Sequence, residues 1–129
     1  MRCVVVGASA AGISCAKTLR ELNKDVEITL ISKDEYVVSR CILHHYIEDV
    51  RSIDDLNFAP YDFFKVYGVK WIKGREVTKI DPKEHKLSLD NGEEVEYDKV
   101  CLATGSSSFI PPIENLSLCS FGSILVTSL

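Results

Sequence analysis

"VVVGASAAG", residues 4–12, decides the fold. Three β-branched residues run into Gly7, small residues surround Ser9, and Gly12 closes the stretch. Taken with its flank as "RCVVV", residues 2–6 form the continuous apolar run of a buried strand. Residues 11–22, "AGISCAKTLREL", are predicted as a helix. Its expected core face is Ile13, Ala16, Leu19 and Leu22, with Lys17, Arg20 and Glu21 towards water. After the turn "NKD", residues 26–32, "VEITLIS", make a second strand. A β-α-β unit of this kind implies parallel strands joined by a right-handed crossover.

Gly7-x-Ser9-x-x-Gly12 therefore stands where strand passes into helix, the setting of the dinucleotide fingerprint G-x-G-x-x-G. The first position must turn tightly, and the second must be small so that backbone can approach a pyrophosphate. The third must let helix and strand pack closely. The helix start then offers N–H groups and a partial positive charge to phosphate. Ser9 departs from glycine but is small and carries a hydroxyl that can donate to phosphate, and Ala10 and Ala11 keep the approach open. The fingerprint also wants a carboxylate about 20 positions further on, for ribose hydroxyls. Ser32 occupies that place, followed by Lys33, Asp34 and Glu35. Ser32 lacks the bidentate grip of a carboxylate. Asp34 or Glu35 can substitute for it, or both can belong to a solvated charged turn.

Outward from this unit the chain is less regular over residues 33–58, with a short helix expected near 40–47. The stretch "YVVSRCILHHYI", residues 36–47, leaves three readings of Cys41 open: redox nucleophile, metal ligand, or small packed residue. Positions 41, 44 and 45 share a helical face, but no fourth ligand stands at a usual spacing, so no metal site is assigned. Residues 59–68, "APYDFFKVYG", are predicted as a helix, with Pro60 near its start and Gly68 as its stop. Phe58, Tyr61, Phe63, Phe64, Tyr67 and Trp71 are expected to form core and lid. "VKWIKG" gives a strand. From residue 75 on, "REVTKID", "KLSLD" and "EVEYD" alternate with a period of two between turns at Asp81-Pro82 and Asn91-Gly92. That pattern predicts an antiparallel meander. "KVCLATG", residues 99–105, returns to an apolar strand suited to a central parallel position. The tail, "NLSLCSFGSILVTSL", carries no charge and no clear period, and is expected to be divergent or cut short.

The 129 residues suffice for one domain with a core, and a net charge of −4 provides no basic field for nucleic acid or anionic lipid. No apolar run approaches a membrane span, and the start shows no signal-peptide pattern. Five scattered cysteines, without a CxxC pair, point to unbridged thiols and a cytoplasmic setting.

Three stretches together resemble one family: "VVVGASAAGISCAKTLREL", "ITLISKDEYVVSRCIL" and "GREVTKIDPKEHKLSLDNGEEVEYDKVCLATGSSSFIPPI". The chain is similar, over roughly residues 2–113, to the N-terminal part of the FAD-binding domain of the pyridine nucleotide-disulfide oxidoreductases. The branch it resembles holds NADH oxidases, coenzyme A disulfide reductases, nitrite reductase-like flavoproteins and rubredoxin or ferredoxin reductases. The resemblance implies an α/β fold: a three-layer FAD/NAD(P)-binding Rossmann-like domain with a parallel sheet and an antiparallel β-meander. Residues 1–114 would be a partial FAD-binding domain and residues 115–129 a divergent or truncated tail.

Carried over by position, Gly7, Ser9 and Gly12, with Ala10 and Ala11, would hold the FAD pyrophosphate. Ser32 and Lys33 stand where the adenosine ribose is read, and Ser39, Arg40 and Cys41 where the chain passes the flavin side. Val77 matches a residue whose backbone meets the adenine, and Thr104 and Gly105 match the turn closing over the nucleotide. In the coenzyme A disulfide reductase branch a cysteine in the stretch matching Cys41 is the redox nucleophile, and Arg40 could favour its thiolate. Complete family members pass a hydride from NAD(P)H to FAD and onward to a disulfide, oxygen or a redox partner. They continue into an NAD(P)H-binding domain, a later Gly-Asp segment and a dimer-interface domain. The expectation is thus part of an FAD site that does not turn over alone, completed by a missing remainder or a homodimer partner. The alternatives are a non-catalytic nucleotide-binding module and an inactive truncation product.

Overall fold

Strand β1, Arg2–Val6, is the centre of the architecture in a computed structural model that describes residues 1–106 and the backbone of 118–121 and 124–127. It pairs in parallel with β2, Glu27–Ser32, on one side and with β7, Lys99–Leu102, on the other. Strand β3, Val69–Lys73, adds in parallel to β2, giving the order β3-β2-β1-β7. Because successive strand residues point to opposite faces, the sheet buries two separate apolar sets. Cys3, Val5, Ile28, Leu30 and Val69 face one cluster, and Val4, Val6 and Ile31 face the other.

The first cluster is covered by helix α1, Ala10–Leu22, through Ile13 and Ala16, and by α3, Phe63–Val66, through Phe63. Arg20 ties the two helices together. Its Nε donates to the carbonyl of Tyr67 at 2.8 Å and its Nη2 to that of Gly68 at 3.2 Å. The second cluster lies beneath an antiparallel meander of β4, Val77–Asp81, β5, Lys86–Leu89, and β6, Glu94–Glu96. Leu87, Leu89 and Tyr97 close it. Helix, parallel sheet and meander form the three layers that the family resemblance implies. Between α1 and α3, a 3-10 turn at Arg40–Ile42 runs into the short helix α2, Leu43–Ile47. Strands β8, Leu118–Phe121, and β9, Ile124–Thr127, form an antiparallel pair.

Four expectations need correction. Leu22 is 82% exposed. Nine residues after Ile13, at about 100° per residue, it falls on the opposite side of the helix. Strand β7 is an edge strand among the described residues, and Leu102 at its end is 60% exposed, because β1 takes the central place. Phe63 is the buried aromatic, whereas Tyr61 is fully exposed and Phe58 partly so, since α3 is a single turn and begins only at Phe63. The tail holds a strand pair where no period was evident. Its sequence signal is the Gly122-Ser123 pair between two strand-forming runs. The expected boundary at 114 lies outside the described residues.

Candidate functional site

The parallel strands all end on one side of the sheet, and a cavity of about 600 Å³ opens there. Ligands in open parallel sheets bind beyond these carboxyl ends, and the volume lies within the range of small-molecule sites. Eight of the predicted residues line it: Gly7 and Ser9 from the β1–α1 turn, and Ser32 and Lys33 from the end of β2. Arg40, Val77, Thr104 and Gly105 complete the set.

Local packing explains why this turn must carry glycine. Gly7 has φ +109°, and a Cβ there would lie 2.2 Å from the carbonyl oxygen of Ala103. A Cβ on Gly12 would lie 1.9 Å from the carbonyl oxygen of Gly7. Gly12 thus lets α1 sit directly on the end of β1. The Gly7 N–H donates to the carbonyl of Ile31 at 2.8 Å, and that of Ala103 donates to the carbonyl of Val6 at 2.8 Å. The floor of the cavity is therefore fixed by strand pairing on both sides of β1. Ser9, at the N-cap of α1, makes no side-chain cap; its hydroxyl donates to the carbonyl of Ala103 at 3.4 Å. Serine at the second fingerprint position is thereby turned towards the 103 strand end.

Ser32 lines the cavity at the end of β2, and its hydroxyl is engaged on both sides. It is buried, its Oγ donates to the carbonyl of Asp34 at 2.7 Å, and it accepts from Trp71 Nε1 at 2.8 Å. A hydroxyl has one proton to give, and here Asp34 receives it. Lys33 Nζ instead reaches Glu76 Oε2 at 3.3 Å, and both residues line the cavity. Arg75 and Asp34 line it as well. Lys33, Arg40 and Arg75 thus face Asp34 and Glu76 across the same opening, a mixed field suited to an anionic ligand bearing hydroxyl groups.

Ala10 and Ala11 lie exposed on the first turn of α1 and, like Gly12, Ser39 and Cys41, do not line the cavity. Ser39 donates its N–H to the carbonyl of Leu56 at 2.8 Å. Cys41 is exposed in the 3-10 turn, one residue beyond cavity-lining Arg40. The rings of His44 and His45 lie 4.0 Å apart with their planes tilted by 41°, but among the described residues no group of three His, Cys, Asp or Glu is arranged to hold a metal. The four described cysteines are free thiols. Burial, with a hydrogen bond to Cys101, pushes the Cys15 thiol up to about 11, and burial also raises Cys3. Arg75 and Glu76 are the site residues the sequence reading missed. Their signal was adjacency to Val77.

A model of the family described as pyridine nucleotide-disulphide oxidoreductase matches residues 1–128. The chain belongs to this family. It is 37% identical over 125 residues to an NADH oxidase of Methanocaldococcus jannaschii, covering 92% of this chain and 28% of that protein. It is 34% identical over 104 residues to an NADH-rubredoxin oxidoreductase of Clostridium acetobutylicum, covering 80% of this chain and 27% of that one. The crystal structure of NADH:rubredoxin oxidoreductase from that organism superposes with a TM-score of 0.76 at 30% identity, over 86% of this chain and 30% of the other. The chain therefore spans under a third of the length of these relatives. Its Rossmann-like fold agrees with those neighbours, and no described helix is long and apolar enough to cross a membrane.

Proposed function

We propose that this chain is the FAD-binding portion of an NAD(P)H-dependent flavoprotein of the pyridine nucleotide-disulphide oxidoreductase type. The observation that carries the reading is the cavity itself. The β1–α1 turn, the end of β2, Val77 and the Thr104-Gly105 turn are separate in sequence and meet at one opening. Gly7 makes the tight turn at the cavity and Gly12 lets α1 pack on the end of β1, so that the start of α1 brings its N–H groups towards a bound diphosphate. These residues fit a dinucleotide. When bound, FAD would supply the hydride and electron chemistry. The chain's own residues bind and orient: Gly7 and Ser9 at the diphosphate, Lys33 with the β2 end at the ribose, and Val77 at the adenine.

On this reading the 129 residues do not complete a catalytic cycle, and activity requires a nicotinamide-binding segment in a second polypeptide or a longer chain. A relative named for rubredoxin reduction supports a small redox protein as electron acceptor. Cys41 belongs to this proposal as the candidate redox thiol, because it is exposed and follows Arg40. The scattered free thiols fit a reducing, cytoplasmic setting.

FAD titration of the purified chain, followed by flavin fluorescence and absorbance, tests the assignment. The expected result is saturable one-to-one binding without NADH oxidation. A folded chain that binds neither FAD nor ADP refutes nucleotide binding, and NADH turnover by the chain with added FAD refutes the division of function.

A further inference from the structure

A ribose presents two neighbouring hydroxyls, and a carboxylate can accept from both at once. In the β-α-β fingerprint that carboxylate stands at the end of the second strand. Here Ser32 stands there, buried, with its proton given to the Asp34 carbonyl and one acceptor position used by Trp71. The role therefore falls to another group at the same strand end.

Glu76 is brought to that place by backbone bonds. The N–H of Arg75 donates to the carbonyl of Ser32 at 3.0 Å, and the carbonyl of Glu76 accepts from the N–H of Asp90 at 2.9 Å. The β3–β4 connection is thus stitched between the end of β2 and the β5–β6 turn. The Glu76 carboxylate lines the cavity and is oriented by Lys33 Nζ at 3.3 Å. Glu35, one of the acids following β2, is turned elsewhere: its side chain packs against Gly74.

We propose that Glu76, carried on the β3–β4 connection, replaces the carboxylate at the end of β2, accepting the adenosine ribose hydroxyls and excluding a 2′-phosphate. The inference rests on the nucleotide-binding reading above and adds a specificity residue to it. Lys33 and Arg75 flank the same spot, so removing the Glu76 charge turns a site that rejects a 2′-phosphate into one that accepts it.

The test is isothermal titration of the whole chain with ADP-ribose and with 2′-phospho-ADP-ribose, which differ only at the ribose. Wild type is expected to prefer ADP-ribose by about tenfold, the low end for hydrogen bonds to a charged group because Glu76 is exposed. Glu76→Gln is expected to abolish or invert that preference, and Glu35→Gln, whose side chain packs against Gly74 outside the cavity, to leave it intact, with far-UV circular dichroism confirming that each variant is folded. A preference unchanged in Glu76→Gln, or lost in Glu35→Gln, overturns the assignment of Glu76 while leaving nucleotide binding in place. A folded wild type that binds neither probe nor FAD overturns both.

Discussion

Replacing Gly12 with alanine sets helix propensity against packing. Gly12 is the third residue of α1, where alanine is the better helix former by about 1 kcal/mol. Propensity alone therefore predicts a more stable protein. The added Cβ, however, would lie 1.9 Å from the carbonyl oxygen of Gly7, against 3.4 Å for an ordinary contact, so α1 must retreat from β1 by about 1.5 Å. The obstacle is backbone, held by the Gly7 N–H bond to Ile31, and cannot swing aside as a side chain would. Overpacking against a fixed neighbour costs up to about 3 kcal/mol. Set against the propensity gain, this leaves a net destabilisation of about 2 kcal/mol. For a chain of this size that lowers Tm by roughly 8 °C. The assay is thermal unfolding followed by circular dichroism at 222 nm (about the far-UV helix minimum), repeated with FAD present. The variant should melt earlier and lose most of the ligand-induced stabilisation, because the helix start moves away from the cavity. An unchanged or raised Tm would refute the close-approach argument.

Ser32→Ala should cost about 1–2 kcal/mol by urea unfolding, since it leaves the Trp71 indole N–H without its acceptor. It should change FAD affinity less than threefold, and a tenfold loss would show that Ser32 reads the ribose directly. Asp98 accepts hydrogen bonds from the backbone and side chain of Arg2, which hold its carboxyl below the usual range. A depressed folded-state value stabilises above the unfolded value and is lost as pH falls through the folded one. Asp98→Asn should therefore be less stable than wild type at neutral pH, with the gap closing below about pH 4. A gap of equal size in acid would contradict the linkage. In timed alkylation at mildly alkaline pH, exposed Cys41 should label before Cys15 and Cys3, whose thiols burial holds neutral. Mass spectrometry showing Cys15 modified first would contradict that order. A Cys41 that reacts no faster than free cysteine would remove it as a redox candidate.

The strand–turn–helix unit was legible because each constraint in it is local: β-branched residues, a turn at Gly7, and a close contact at Gly12. The meander was legible for the same reason, through Asp81-Pro82 and Asn91-Gly92. Misreadings came where distance in sequence mattered. Apolar character suggested a central place for "KVCLATG", but strand order depends on which strands find β1, and β1 has Leu102 at its outer neighbour's end. Leu22 was assigned by apolarity instead of by helical angle. Ser32 lines the cavity, but spacing alone gives no sign that its hydroxyl is engaged by Trp71, 39 residues away. Glu76 became visible only once the β3–β4 connection was seen bonded to the end of β2.

The central position of β1 has a consequence for synthesis. Strand β1 is made before both of its partners, β2 and β7. Its pairing with β7 and the Arg2–Asp98 bond span 96 residues. At about 5–20 residues per second, the ribosome delivers that partner on the order of ten seconds after β1 emerges. Until then one long edge of β1 stays open to other strands. Folding thus depends on long-range closure, which slows the final step and makes the nascent chain a client for any factor that shields exposed strand edges.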